Sequence, residues 1–266
     1  MSKKTILIIL GIAAVFCCCI STVVGGIVIY NSQINKPAPT PSPLISTTPL
    51  VTGSTIVDPS STISPTFKPS FSFGDFVFDA FNDNSKGWTM GKQTGDYSIS
   101  DEYIEGGKLY LEFETINEEG AIVYDTLDKT FSGDKYEVSI DGKLQPDSTD
   151  TTDYGIIFRM LDKSNYYYFI INEHYQEFAI TSKVNGEFKD ITQDWVQTTL
   201  ISSSTPNTIK VVADGTKFDF YINGQMVYTT TISSVPNTGK VGILGQSYEV
   251  GDKGTIAFDN LTVSVD

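Results

Sequence analysis

From position 75 to the C-terminus apolar and polar residues alternate with a period of two, and short polar turns separate the alternating runs. β-branched and aromatic side chains dominate these runs, the composition that suits a pleated, half-buried surface. Twelve strands are predicted on this basis, at 76–81, 108–114, 121–126, 136–144, 154–161, 166–172, 178–184, 209–213, 217–222, 225–231, 240–244 and 255–265. Asp141-Gly142, Asn185-Gly186, Asp214-Gly215 and Asn223-Gly224 punctuate them, dipeptides that accept positive φ and favour tight hairpins. No window carries a helical stripe, and no fixed-period repeat points to a propeller or solenoid. The expected fold is all-β, a two-sheet antiparallel sandwich or jelly roll over residues 75–266.

Upstream the pattern is different. Residues 1–4 carry Lys3 and Lys4, and residues 5–30 then run without a charge and are mostly apolar. At 1.5 Å per residue that run is roughly 39 Å of helix, enough to cross about 30 Å of hydrocarbon. A cleaved signal peptide would have a shorter apolar region, whereas apolarity here continues through Val23, Val24 and Ile27 to Ile29. A transmembrane helix over 5–30 is therefore expected, with residues 1–4 as a cytoplasmic tail, because the positive charges flank its N-terminal side. Everything beyond it is expected outside the cell. Residues 31–74 contain 8 Pro and 16 Ser or Thr, counted along the chain, and read as a disordered Pro/Ser/Thr-rich linker that holds the outer domain off the bilayer.

The formal charge of −14 would repel phosphates, and the basic residues are scattered singly, so nucleic acid is not an expected partner. One histidine, His174, and the adjacent Cys17, Cys18 and Cys19 cannot build an ordinary zinc site or a disulfide framework. Phe16 before Cys17 does not suit a lipidation signal, so the three cysteines read as small apolar fillers of the membrane helix. A hard cation such as calcium is the one cofactor considered. Asp147, Asp150 and Asp153 lie at intervals of three in the loop between two strands and are the candidate ligands, a solvated acidic loop being the alternative.

Several segments carry a resemblance. Phe78-Asp79-Ala80-Phe81-Asn82-Asp83 with Gly87-Trp88, then Tyr154-Gly155-Ile156-Ile157-Phe158-Arg159 and Asn165-Tyr166-Tyr167-Tyr168-Phe169 are similar to bacterial secreted domains of the concanavalin A-like lectin/glucanase superfamily. Phe220-Tyr221-Ile222-Asn223-Gly224 and Ala257-Phe258-Asp259-Asn260-Leu261 extend the likeness, which is nearest to the 3-keto-disaccharide hydrolase-like or laminin G-like branch. The resemblance implies a jelly roll of two curved sheets that recognises glycans or other surface polymers. Fold alone does not transfer an activity.

No catalytic motif stands out. Glu112 and Glu114 share a face, but the acidic strand pattern of laminarinase-like members is missing, and the pair reads as the polar side of a strand whose core side is Leu109, Leu111 and Phe113. No G-x-S-x-G elbow exists to pair with His174. The hairpin at 154–172 is more informative. With Leu161 facing Tyr166, Arg159 is expected opposite Tyr168, giving one face of Ile156, Phe158, Met160, Tyr167, Phe169 and Ile171. The other face would hold Arg159, Tyr166, Tyr168 and Asn172, with His174 beyond, rings and hydrogen-bonding groups that could grip a sugar. A structural ion pair or cation–π contact of Arg159 is the alternative. Trp88 and Trp195 could be sugar platforms but read first as lids on the core. The expected function is a membrane-anchored extracellular module that binds a polysaccharide or cell-envelope glycan without catalysis. The alternatives are a glycoside hydrolase or lyase and a structural or adhesive surface protein.

Overall fold

A computed structural model describes residues 74–233 and 236–266. The expected tail, membrane helix and all of the linker except Gly74 lie outside the described residues, among which no helix is long and apolar enough to cross a membrane.

The described chain forms β1 Asp75–Asp79, β2 Gly91–Thr94, β3 Ser98–Glu105, β4 Lys108–Thr115, β5 Ala121–Thr126 and β6 Phe131–Ser132. There follow β7 Lys135–Leu144, β8 Asp153–Asp162, β9 Asn165–Asn172, β10 Glu177–Val184, β11 Glu187–Asp190 and β12 Val196–Gln197. The last are β13 Asn207–Asp214, β14 Lys217–Ile222, β15 Gln225–Thr231, β16 Thr238–Ser247 and β17 Lys253–Val265. They pair antiparallel in two sheets. One has the order β15-β14-β13-β7-β17-β4-β3-β2 with β1 beside β17, and the other β11-β10-β9-β8-β16-β5 with β12 beside β10 and β6 beside β16. The all-β antiparallel sandwich expected from the alternation is the observed architecture.

The alternation explains the core. Leu109, Leu111 and Phe113 of β4, Val138 and Ile140 of β7 and Phe218 and Phe220 of β14 turn inward from the larger sheet. Ile156 and Phe158 of β8, Tyr167, Phe169 and Ile171 of β9 and Phe178 and Ile180 of β10 meet them from the smaller one. Phe169 and Phe220 touch edge-to-face across the layers at 5.2 Å between centroids. Glu112 and Glu114 point away from this core, as the sequence suggested: Glu112 accepts the Tyr103 hydroxyl at 2.5 Å and Glu114 pairs with Lys253 at 3.4 Å.

Three of the four turn dipeptides close hairpins, with positive φ at Asn185, Gly186, Gly215, Asn223 and Gly224. The fourth does not. Asp141-Gly142 sits inside β7, where a Cβ on Gly142 would lie 2.4 Å from the Tyr154 ring, so this glycine makes room for a core tyrosine.

The hairpin register also differs from expectation. Phe158 pairs with Tyr167 and Ile157 with Tyr168, and the ladder is interrupted until Asp162 meets Asn165. Arg159, Met160 and Leu161 thus form a bulge, and Arg159 takes φ 48°, a left-handed conformation that turns consecutive residues out of alternation. The bulge exchanges two side chains between faces: Arg159 goes inward and Met160 outward.

Candidate functional site

The outward face of the smaller sheet is where polar alternation fails, because both of its faces are covered. Ile157, Tyr166, Tyr168, Ile170, Ala179 and Leu244 form a second apolar cluster on it, with Ile122, Tyr124, Met160 and Trp195 packed against them. Register assembles this surface in rungs. Thr181, Tyr168, Ile157, Gly242 and Thr126 lie across β10, β9, β8, β16 and β5. Ala179, Ile170, Gly155, Leu244 and Tyr124 form the next rung. Gly155 and Gly242 keep the rungs low, since a Cβ on either would lie within 2 Å of a neighbouring carbonyl oxygen.

A cleft of about 490 Å³ runs across these rungs. At one end it is lined by Lys163, Tyr166, Lys183 and Phe188, and at the other by Tyr97, Glu119, Gln246 and Tyr248, with Tyr124, Tyr168 and Ile122 between. Tyr124, Tyr166 and Tyr168 form a continuous aromatic floor, with centroid separations of 5.9 and 6.1 Å. The floor rings are almost covered, Tyr166 at 2% and Tyr168 at 5% exposure. Burial raises both hydroxyls, that of Tyr168 to about 12. The rim rings are open: Tyr97 is 47% exposed, Phe188 51% and Tyr248 37%.

Polar groups sit beside this floor. Gln246, in the cleft wall, has a buried Oε1 with no hydrogen-bond partner. Its rung partner Asp153 is buried, accepts the Tyr248 hydroxyl at 2.5 Å and the Asn172 amide at 2.8 Å, and is pushed up to about 8 by burial against the pull of those two bonds. Glu177 adds to the rise by its charge, and is itself raised by burial.

The structure brings together only part of the sequence-predicted site. Tyr166 and Tyr168 line the cleft. Asn172 is on the same face but fully engaged, its amide donating to Asp153 and to the Asp150 carbonyl and its oxygen accepting the Tyr175 N–H. Arg159 is elsewhere: its guanidinium lies between the sheets over Phe218 and Tyr136, at 4.7 and 6.0 Å from the ring centroids. The expected grouping of Arg159 with the tyrosines rested on an unbulged hairpin and does not form. Nor are Asp147, Asp150 and Asp153 gathered at one point. Asp147 faces Thr255, Asp150 pairs with His174 at 3.2 Å, and Asp153 is committed to Tyr248 and Asn172. Among the described residues no three His, Cys, Asp or Glu side chains cluster as metal ligands. Trp88 is a lid, buried with its indole N–H on Asp79 at 2.8 Å, and Trp195 packs on the outer apolar cluster.

Sequence reading missed Tyr97, Tyr124, Lys163, Lys183, Phe188, Gln246 and Tyr248. Two of them were accessible to it, because the alternation Ala121-Ile122-Val123-Tyr124 puts Tyr124 outward and Lys183 pairs with Tyr166.

No protein-family model matches the sequence, and no curated protein does. Solved structures do match. A carbohydrate binding module from Bacillus subtilis is 20% identical over 67% of this chain and 96% of its own, with a TM-score of 0.49. A protein of unknown function with galectin-like fold from Bacillus subtilis is 14% identical over 73% and 97%, with a TM-score of 0.52. The Bacillus licheniformis β-glucanase is 13% identical over 73% and 100%, with a TM-score of 0.51. With two antiparallel sheets in this order, the described domain has the concanavalin A-like lectin/glucanase fold.

Proposed function

We propose that the outer domain binds carbohydrate in the cleft of the smaller sheet, without catalysis, and that residues 5–30 hold it at the outer surface of the cell membrane with 31–74 as spacer. The observation that carries the reading is the cleft itself: the open rings of Tyr97, Phe188 and Tyr248 stand at its rim over an aromatic floor and offer ring faces to sugar C–H groups, with polar side chains of Lys163, Lys183 and Glu119 beside them for hydroxyls. One solved protein sharing the fold is a β-glucanase, which is in keeping with a polysaccharide ligand.

Hydrolysis is the second reading, because Asp153 holds a proton near neutrality as a general acid would. Against it, both Asp153 oxygens are occupied by Tyr248 and Asn172, and Glu119 is the single carboxylate residue lining the cleft, whereas glycoside hydrolysis takes two. A glycan array with the full-length protein in detergent is the test. Retention of at least one polysaccharide, weakened about tenfold by Phe188→Ala with the melting temperature unchanged, supports binding. Release of reducing ends from the retained glycan, or no retention, removes the proposal.

A further inference from the structure

The two ends of the cleft differ in charge, and the difference is unexpected in so acidic a domain. From Asp75 onward there are 14 basic residues and 31 acidic ones, a net charge of −17. With carboxylates in such excess, lysines find partners easily. Lys108, Lys129, Lys143, Lys210, Lys217, Lys240 and Lys253 are each paired with an Asp or Glu. Among the described residues the two lysines of the cleft are not so paired, and neither are Lys86, Lys92 and Lys189 elsewhere on the surface. Lys163 stands exposed in the turn between β8 and β9. Lys183 is half-buried and fixed between two rings, its ammonium 4.6 Å from the Phe188 centroid and 5.7 Å from that of Tyr166. That placement holds a cation over the cleft without neutralising it, since aromatic faces attract an ammonium but leave its hydrogen-bonding capacity for another group. Of the acidic residues on the adjoining strands, Asp162 and Asp190 are hydrogen-bonded and Glu187 of β11 is exposed. Asp162 accepts the Ser164 N–H and the Asn165 amide, and Asp190 accepts the Thr181 hydroxyl.

From this we infer that the Lys163/Lys183 end of the cleft receives an anionic substituent of the glycan, so that the ligand is an acidic polysaccharide, its sugar rings lying along the aromatic floor toward Gln246 and Tyr248. The inference rests on the carbohydrate-binding reading and names the ligand class for it. Net charge alone would instead favour an uncharged glycan. Net charge sets the far field, which salt screens beyond about 8 Å at physiological ionic strength, whereas contact with two ammonium groups acts inside that distance. The shared chemistry is a negative oxygen cluster, which a uronic carboxylate or a sulfate ester supplies equally well.

Matched probes separate these sources and test the idea with the full-length protein. Oligogalacturonate is compared with its carboxyl-reduced form, and carrageenan oligosaccharides with their desulfated form, by titration calorimetry. The acidic member of at least one pair should bind about tenfold tighter than its neutral counterpart, the increment of one charge-assisted contact. Lys163→Gln with Lys183→Gln should bring the ratio of acidic to neutral affinity down to about one, whatever it does to the affinities themselves. Equal or tighter binding of both neutral members, or an acidic preference that survives the double substitution, overturns the inference while the carbohydrate reading stands. Failure of all four probes, together with an empty glycan array, overturns both.

Discussion

The guanidinium carbon of Arg159 lies 4.7 Å from the ring centroid of Phe218, inside the sandwich and on the opposite face of its sheet from Tyr168. The only arginine of the chain is thus a core residue held over aromatic faces, its Nη2 donating to the Gly215 carbonyl at 3.4 Å. Burial lowers its affinity for the proton, and the Tyr136, Tyr167 and Asp134 groups oppose that fall.

Arg159→Ala should therefore lower stability by about 2–3 kcal/mol, through the loss of packing over Phe218 and Tyr136. In a domain of this size that is a fall of about 4–12 °C in melting temperature. Arg159→Met, which keeps the aliphatic volume, should recover most of it. Affinity in the cleft should be the same for both variants and the parent, measured by calorimetry at a temperature where all are folded.

Much of the fold was legible before any coordinates because inward and outward positions differ in polarity wherever one face meets solvent. All twelve predicted strands are present, most with an added residue or two at an end. The strands that escaped are very short, as β6 and β12 are at two residues each, or lack a run of apolar inward positions. β3 turns Ser100 and Glu102 inward beside Ile104, so its alternation is invisible. The site was less legible for two physical reasons. A bulge costs one local conformation at Arg159 and moves side chains between faces without leaving a pattern in the sequence. The cleft also draws Tyr97, Lys183 and Tyr248 from elements far apart in the chain, which only the sheet order brings together.

Stability should fall as pH rises from about 4.5 to about 8. Glu102 is buried against Asp125, its Oε2 has no partner, and burial first, then the charge and hydrogen bond of Asp125, push its carboxyl up to about 8. Asp153 is raised to about 8 as well. In that interval the folded chain keeps protons that the unfolded chain releases, so each step up in pH favours unfolding; the contribution is complete below the unfolded value and lost above the folded one. Glu102→Gln keeps the volume and removes the titration. Its melting temperature should exceed that of the parent at pH 8–9 and converge with it near pH 4.5. Parallel curves for the two proteins would show that Glu102 does not titrate in this window.

A buried polar junction ties β7, β8, β13 and the segment after β9. Glu173 accepts the Lys143 ammonium, the Leu144 N–H at 3.1 Å and the Tyr154 hydroxyl at 2.7 Å, while the Asn207 amide reaches the same tyrosine oxygen at 3.1 Å. Glu173→Ala leaves several of these groups without a partner away from water and should cost about 3 kcal/mol. Glu173→Gln retains the acceptor oxygen toward Tyr154 and should cost less than half as much. Chemical denaturation of both variants reads the difference, and equal losses would mean that charge rather than hydrogen bonding holds the junction.

The cleft floor and rim should respond oppositely to truncation. Tyr168 is 5% exposed, packs with Tyr166 at 6.1 Å between centroids and lies opposite Ile157, so Tyr168→Ala opens a cavity beneath the cleft. A loss of about 3 kcal/mol follows, and any weakening of glycan binding is then inseparable from the damaged floor. That differs from the outcome expected of a solvent-facing platform, where binding goes and the fold stays. Tyr168→Phe removes only a hydroxyl and should change neither stability nor affinity by more than about 1 kcal/mol. Tyr97 carries the opposite signature: 47% exposed at the rim, it supplies an open ring at little packing cost. Tyr97→Ala should keep the melting temperature within about a degree or two and reduce affinity severalfold. Melting curves and titrations on the three variants decide the matter, because a Tyr168→Ala protein as stable as the parent would mean that the floor is open to solvent and that Tyr168 itself is the platform.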